Sequence, residues 1–209
     1  MPGNAQILLA NTILMCYNTI MKNVYEECPT FENEKWLLRF AEKSDADDLL
    51  QVYSDKNALP FFNSDNCDGD NFYYHTKELM NKAIDFWFYS YKEKWFVSWA
   101  IIEKSTGKAI GTIELFKRLS DDPFNESGIL RLDVGSSFEK TEILKEIMSL
   151  IIPHSFEMFD CKQLATKIPL YAVERAAAAQ TFGFEKTDKL LVAKDGVAFN
   201  GYWIYRKEN

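Results

Sequence analysis

The middle of the chain holds three short runs of β-branched and aromatic residues in close succession, over residues 95–103, 109–118 and 128–134. The first two runs are separated by Lys104-Ser-Thr-Gly-Lys108, a turn-forming segment that is typical of a β-hairpin. The second and third runs are separated by a turn-rich segment over residues 120–127. Because short turns of this kind connect antiparallel neighbours, the sequence predicts three consecutive antiparallel strands.

Segments with the periodicity of helices or strands flank these three strands on both sides. Strand patterns cover residues 36–40, 162–168, 184–192 and 200–206, and helical patterns cover residues 44–53, 72–91, 140–159 and 171–182. This order predicts an α+β fold, with a mixed, mainly antiparallel central sheet of about seven strands and helices on both of its faces.

Residues 5–24 form a separate predicted helix ahead of the first strand. Its apolar side chains recur at alternating spacings of three and four, as Ile7, Ala10, Leu14, Tyr17, Met21 and Val24. The Cys28-Pro29 pair ends this pattern, so the sequence predicts an N-terminal helical extension over residues 1–35 and a single domain over residues 36–209. A helix this apolar draws its stability from packing, so we expect it to cover its own domain or a second chain in a homodimer.

Charge and cysteine content narrow the class of protein. The chain has 209 residues and a formal net charge of -7, which argues against nucleic acid or an anionic membrane as the partner. The four cysteines form no close pair, so we expect no metal site, and reduced thiols in a cytoplasmic protein. The apolar opening stretch has no Lys or Arg before Lys22 and several polar interruptions, so we expect neither a signal peptide nor a membrane span.

Four short sequence motifs along the predicted domain follow a recognisable pattern. They are Leu38-Arg39 followed by Ser44-Asp-Ala-Asp-Asp48, Ala109-Ile-Gly-Thr-Ile-Glu-Leu115, Phe156-Glu-Met-Phe-Asp160 and Phe182-Gly-Phe-Glu185. Together with the order of elements, they resemble the GNAT superfamily of acyl-CoA-dependent N-acyltransferases, and within it the branch that acetylates protein N-termini, such as those of ribosomal proteins, or small amines. The resemblance covers nearly the whole chain after residue 36.

The resemblance implies an acetyl-CoA-dependent N-acetyltransferase that acts on a small-molecule or protein amine by direct attack. In that fold the fourth and fifth strands separate, and the pantetheine arm of the co-substrate bonds to the fourth strand as an added strand. This implies an arm along Leu132, Asp133 and Val134. The pyrophosphate is then expected on the backbone amides that follow, at Gly135, Ser136, Ser137, Phe138, Glu139 and Lys140.

The sequence departs from the family at two places. The loop after residue 134 is short and keeps one glycine, Gly135, to which we assign the positive φ angle of an anion-binding nest. Ala172 and Ala179 stand where the family often has an Asn and a Tyr, so Tyr171 is the nearest phenol for protonating the departing thiolate. The alternative for the loop is an ordinary capped turn between a strand and a helix. The alternative for the whole protein is a GNAT-fold module that has lost catalysis and works in ligand binding or interaction.

Two acidic residues lie within otherwise apolar strands. Glu114 shares one face of its strand with Thr112 and Phe116, and Asp133 shares a face of the next strand with Arg131. Amine acylation needs a group that takes a proton from the amine, so Glu114 and Asp133 are the candidate bases. The alternative for Glu114 is an ion pair with Arg131 across the two strands.

Aromatic residues ahead of and at the start of the helix predicted over residues 72–91 are candidates for the wall of an acceptor pocket. They are Phe61, Phe62, Tyr73, Tyr74 and His75, with ordinary hydrophobic packing as the alternative. The other histidine, His154, is expected to be a partly buried packing residue. Acidic loops over residues 65–70 and 121–126 are either attractive to a cationic acceptor or simply solvated.

Overall fold

The computed structural model describes residues 23–207 of the chain. Its strands are β1 (Phe31–Glu32), β2 (Trp36–Phe40), β3 (Val97–Glu103), β4 (Lys108–Arg118), β5 (Ser127–Val134), β6 (Gln163–Lys167), β7 (Glu185–Lys186), β8 (Leu191–Val192), β9 (Ala198–Phe199) and β10 (Tyr202–Tyr205). Its helices are α1 (Ala46–Tyr53), α2 (Lys77–Lys92), α3 (Thr141–Phe159) and α4 (Val173–Gln180).

Eight of the strands form one sheet in the order β1-β2-β3-β4-β5-β6-β10-β7, and β8 pairs with β9 separately. The pairs within the large sheet are antiparallel except for β5 and β6, which run parallel. The predicted α+β class and the predicted antiparallel unit, now β3 to β5, are therefore confirmed.

The two faces of the sheet carry different cores. On one face, alternate residues of β4 and β5 such as Ile113 and Leu132 pack against α3 and α4 in the largest apolar cluster. On the opposite face, α1 and α2 cover a second cluster that includes Ala100 and Ile102 of β3. The strand period of two places Glu114, Arg131 and Asp133 on this second face. The sheet therefore presents charged side chains beneath the α1 and α2 layer.

Gly111 sets how closely β4 and β5 approach each other. The pairing of β4 with β3 is irregular near this glycine: Ile101 of β3 pairs with Gly111, whereas Ile102 pairs with Ala109, so the register shifts by one residue. A Cβ atom on Gly111 would lie 2.1 Å from the backbone oxygen of Asp133 and 2.8 Å from Cα of Val134. The end of β5 can therefore come this near to β4 only because residue 111 is glycine.

Residues 23–35 are packed into the same domain. Val24 is buried in the large core, and its backbone oxygen accepts a hydrogen bond of 2.8 Å from the Tyr91 hydroxyl. The β1 strand adds an edge to the sheet beside β2. The helix predicted over residues 5–24 lies outside the described residues, apart from its last two positions.

Three predicted elements differ from the structure. Helix α2 begins at Lys77 rather than at residue 72, because Thr76 caps it by accepting the Leu79 N–H at 3.2 Å and Phe72 has a φ angle of +62°. The strand predicted over residues 184–192 is two strands that pair with different partners, β10 and β9. Tyr171 lies in a turn before α4 rather than within the helix.

Candidate active site

The strands β5 and β6 separate soon after they meet. They pair only from Ser127 with Gln163 to Ile129 with Ala165. From Leu130 to Val134, β5 pairs with β4 on one side, and no strand of the described residues pairs with its other side. The structure therefore contains an unpaired strand edge at the position of the predicted co-substrate arm, with the side chains of Leu132 and Val134 buried in the core on the α3 face.

Two carboxylic acids are buried side by side next to this edge. Glu114 and Asp133 are 5% and 3% exposed, and they lie on the face of the sheet that α1 covers. The Tyr53 hydroxyl shares a hydrogen bond of 2.7 Å with Oγ1 of Thr112 and donates at 3.4 Å to Oδ2 of Asp133. Oδ1 of Asp133 has no hydrogen-bond partner among the described residues. An unpaired buried carboxylate oxygen is unusual, and Oδ1 of Asp133 can accept a hydrogen bond from a further donor.

Burial changes the acid strength of both groups. Burial first, and then the nearby charge of Glu114, raise the pKa of Asp133 to about 7, against the opposing effects of Arg175 and Arg131. Burial also raises the pKa of Glu114, although Arg131 acts in the opposite direction. Two close acids that share one low-dielectric site cannot both ionise easily. The pair therefore holds a group that exchanges a proton near neutral pH, as a general base requires.

The raised pKa of Asp133 predicts a dependence of stability on pH. Because its folded pKa lies above the unfolded value of about 3.9, Asp133 stabilises the protein fully below that value, and this contribution is lost as pH rises to about 7. An Asp133→Asn variant should therefore unfold at a higher urea concentration than the wild type at pH 8, and show no such advantage at pH 4. A gain of equal size at both pH values would contradict the raised pKa.

Arg131 connects the acids to the loop above them. Its Nη1 lies 3.5 Å from Oε2 of Glu114, and its Nη2 donates to the backbone oxygen of Asp65 at 3.0 Å. The guanidinium also lies 5.2 Å from the centre of the Phe116 ring. The cross-strand ion pair proposed as an alternative for Glu114 is thus present, but at 3.5 Å it is long for a charge-assisted hydrogen bond. The carboxylate of Glu114 can therefore still accept a hydrogen bond from a second cation.

A cavity of about 780 Å³ opens from the surface down to these residues. Its lining includes Tyr53, Glu114 and Arg131, and eight of the residues around it are aromatic. A second cavity of about 570 Å³ shares Phe116 and Arg131 with the first. Of the aromatic residues predicted to line an acceptor pocket, only Tyr74 lines the first cavity, of about 780 Å³.

The backbone amides of the predicted pyrophosphate loop have hydrogen-bond partners within the chain. Gly135 has a φ angle of −56°, so the predicted positive-φ nest is wrong: the glycine precedes a 3-10 turn instead. The Gly135 N–H donates to the Ile110 oxygen, and the Phe138 N–H donates to the Gly135 oxygen. The Ser136 N–H, which we expected to bind an anion, donates at 3.0 Å to a carboxylate oxygen of Asp55. The loop amides are therefore mostly engaged within the chain.

The rest of the loop is dominated by one buried ion pair. Both oxygens of Glu139 accept hydrogen bonds of 2.7 Å from Arg175, and the two side chains are 6% and 4% exposed. Arg175 also donates at 2.9 Å to the backbone oxygen of Phe61. Ser137 and Lys140 are exposed. Arg175, which belongs to α4 rather than to the loop, thus brings a buried positive charge into contact with the predicted pyrophosphate loop.

A third carboxylate lies at the start of α3. Glu174 accepts the Thr141 N–H at 2.8 Å and bonds to the Thr141 hydroxyl. Asp55, Glu139 and Glu174 therefore occupy donors that an anionic ligand would use in this region. Sequence reasoning missed Asp55 and Arg175, because each contacts the loop from a distant part of the chain.

Tyr171 is placed apart from the acids. Its hydroxyl donates to the backbone oxygen of Pro60, and its ring lies edge-on to Phe61 at 5.7 Å. The side chain is 59% exposed. Neither histidine lines the large cavity. His75 stacks on Tyr73, while His154 is exposed rather than partly buried and stacks on Phe31.

Within residues 23–207, no group of three or more His, Cys, Asp and Glu side chains is arranged to hold a metal ion. Over the same residues, no helix has both the length and the apolar character to cross a membrane.

Comparisons with known proteins agree with this geometry. The family model of the acetyltransferase (GNAT) domain matches residues 35–188. No curated protein matches the sequence. Similar solved structures include a putative ribosomal-protein-serine acetyltransferase from Vibrio cholerae, with a TM-score of 0.64, 12% identity, and coverage of 86% of this chain and 98% of that one.

Two further structures have the same fold. A ribosomal-protein-S5-alanine acetyltransferase from Vibrio fischeri has a TM-score of 0.62 and 17% identity, with coverage of 84% of this chain and 94% of that one. A ribosomal L7/L12 α-N-protein acetyltransferase in complex with coenzyme A has a TM-score of 0.63 and 13% identity, with coverage of 85% and 98%. At these identities the structural likeness concerns the fold.

Proposed function

The chain belongs to the GNAT acetyltransferase family and is thus an acyltransferase, and on that premise we propose that it transfers the acetyl group of acetyl-CoA to a primary amine. The observation that carries this proposal is the buried pair of Glu114 and Asp133, which lies beside the unpaired edge of β5 and at the end of a large cavity. A proton acceptor, a strand edge and an entry path for an amine then meet at one place.

We propose that the arm of acetyl-CoA lies along Leu132, Asp133 and Val134, where backbone groups of β5 have no strand partner on one side. Its pyrophosphate would lie at the loop from Gly135 to Lys140, where Arg175 supplies a buried positive charge. To bind there, the pyrophosphate has to compete with Asp55 for the Ser136 N–H and with Glu139 for Arg175. The residues present therefore fit the group, with an affinity lowered by the chain's own carboxylates.

Acetyl-CoA supplies the activated thioester, and this chain supplies the proton transfers. In the proposed reaction Glu114 or Asp133 takes a proton from the acceptor ammonium. The free amine attacks the thioester carbonyl directly and forms the C–N bond, the C–S bond breaks, and the thiolate takes up a proton while the new amide nitrogen loses its second proton to the solvent, from which the proton donor is restored. Tyr171 is proposed as the donor of the proton that the thiolate takes up, which requires its hydroxyl to leave the Pro60 oxygen.

The first test is binding of acetyl-CoA. If acetyl-CoA binds the native state, a concentration of 100 times the Kd should raise the free energy of unfolding by about 2.7 kcal/mol. A thermal shift assay and calorimetry measure this, with free pantetheine as the control that lacks the pyrophosphate. An added primary amine should then release the CoA thiol. No heat and no stabilisation at millimolar acetyl-CoA would contradict the proposal.

The alternative is a GNAT-fold module that binds a ligand without catalysis. The specific observation in its favour is that Asp55 and Glu139 occupy donors at the loop, together with Ala172 and Ala179 at positions where the family often has an Asn and a Tyr. Binding of acetyl-CoA without thiol release for any amine would support this alternative.

We propose that the amine acceptor is a small molecule or a protein. A protein acceptor is supported by the solved ribosomal-protein acetyltransferases that share the fold. A cytoplasmic location and a homodimer remain predictions, the latter through the segment over residues 5–24.

A further inference from the structure

We propose that the acceptor is a primary amine carried by a bulky apolar group, and that an aromatic ring fits the site best. This inference rests on the proposed function and adds the chemical class of the amine. It follows from the walls of the large cavity, the charged groups of its lining, and its size.

Aromatic side chains line the cavity both at the surface and at its buried end. The aromatic lining residues are Tyr53, Phe72, Tyr74, Phe86, Trp87, Trp95, Phe96 and Phe116. Tyr53 and Trp87 are buried at 2% and 5% exposure, whereas Phe86 and Trp95 are about half exposed at the entrance. Phe86 and Trp95 also contact each other, with ring centres 6.3 Å apart. A ring that enters the cavity can therefore contact aromatic side chains both at the entrance and at the buried end, where edge and offset contacts are favourable.

The cavity also carries charged side chains of both signs, with Glu114 as the buried carboxylate of its lining. Glu114 lines the cavity 3.5 Å from Arg131, and Asp133, which shares the strand face of Arg131 but is not part of the lining, has an unpaired oxygen. A positive ammonium is attracted both to the carboxylate of Glu114 and to the faces of the surrounding rings. An apolar amine would therefore enter with its charged end toward Glu114 and its apolar end toward Trp95 and Phe86.

The size of the cavity favours a large acceptor. Its volume of about 780 Å³ is in the range of sites that enclose molecules of many heavy atoms. An amine with two carbons would leave most of the aromatic wall in contact with water. A ring-bearing amine would bury that wall, and burial of one phenyl group changes an equilibrium by roughly 10- to 100-fold. Selectivity for bulk therefore follows from the removal of apolar surface from water.

The test compares ethylamine with 2-phenylethylamine as acceptors, with saturating acetyl-CoA and thiol release as the readout. We expect kcat/KM to be about 10- to 100-fold higher for 2-phenylethylamine. A Phe86→Ala, Trp95→Ala double variant should reduce that ratio at least about fivefold, because it should lower kcat/KM more for the ring-bearing amine than for ethylamine. Leu190→Ala is the matched control, since Leu190 is 45% exposed and does not line the cavity.

Three outcomes separate the inference from the proposed function. Equal kcat/KM for the two amines would overturn the inference and leave acetyl transfer intact. A ratio that the double variant does not change would also overturn it, because the selectivity would then arise elsewhere. If no amine releases thiol, the proposed function fails. Binding of the two amines, measured by quenching of tryptophan fluorescence, then tests the inference separately. Tighter binding of 2-phenylethylamine than of ethylamine supports the inference, and equal binding overturns it.

Discussion

A Glu114→Gln variant should lose about 10²-fold or more in kcat while it keeps the fold. The amide has nearly the same size as the carboxylate, so the packing beneath α1 is preserved, but the group can no longer accept a proton. Arg131 retains its bond to Asp65 and its contact with Phe116, so the melting temperature should change by only a few degrees. Steady-state kinetics and thermal unfolding measure the two effects.

A second readout identifies the cause of the loss. The charge of Glu114 contributes to the raised pKa of Asp133. Removing that charge should lower the pKa of Asp133, so the remaining activity should begin at a lower pH than in the wild type. Glu103→Gln is the matched control, since Glu103 lies at the end of β3 with its carboxylate bonded to Thr106. If Glu114→Gln retains full turnover, the base is Asp133 or no protein group.

Replacing Gly111 with alanine should be far more damaging than the same change at Gly135. At Gly111 the new Cβ would lie 2.1 Å from the Asp133 backbone oxygen, and backbone atoms of a central strand cannot move aside cheaply. At Gly135 the nearest atom would be Cδ2 of Phe138 at 3.7 Å, and φ is −56°, which alanine adopts freely. We expect Gly111→Ala to lose at least about 2 kcal/mol of unfolding free energy, and Gly135→Ala to lose none.

Urea unfolding measures both variants, and an acetyl-CoA titration of each shows the effect on the site. Gly111→Ala should also weaken binding of the co-substrate, because the strand edge that it displaces is the proposed seat of the arm. Equal stability of the two variants would contradict the close approach of β4 and β5.

Alternation along the strands allowed part of the site to be predicted. Period two placed Glu114 opposite Arg131 and put Asp133 on the same face, and the structure shows both. These relations are local to two neighbouring strands, so their register follows from a short connection. The burial that raises the pKa of the two acids comes instead from α1 and the loop over residues 63–71, and no pattern in β4 or β5 encodes it.

Contacts between distant segments could not be predicted in this way. Asp55 bonds to the Ser136 amide across 81 residues, and Arg175 bonds to Glu139 across 36. Lys167 pairs with Asp65 across 102 residues at 2.5 Å. Each contact depends on how α1, α4 and the loops pack on the sheet, which has no signal in local periodicity. The φ angle of Gly135 likewise depends on how the loop packs on the rest of the chain, so the prediction of a positive φ angle is wrong.

The most direct test of acetyl transfer follows the acetyl group itself. The protein is mixed with isotope-labelled acetyl-CoA and 2-phenylethylamine, and mass spectrometry records the amine, the released CoA and the intact protein. The proposed direct attack predicts one labelled acetyl group on the amine for each CoA released, with no acetylated protein as an intermediate, and a loss of product in Glu114→Gln. Bound acetyl-CoA that stays intact in the presence of this and other primary amines would contradict the account.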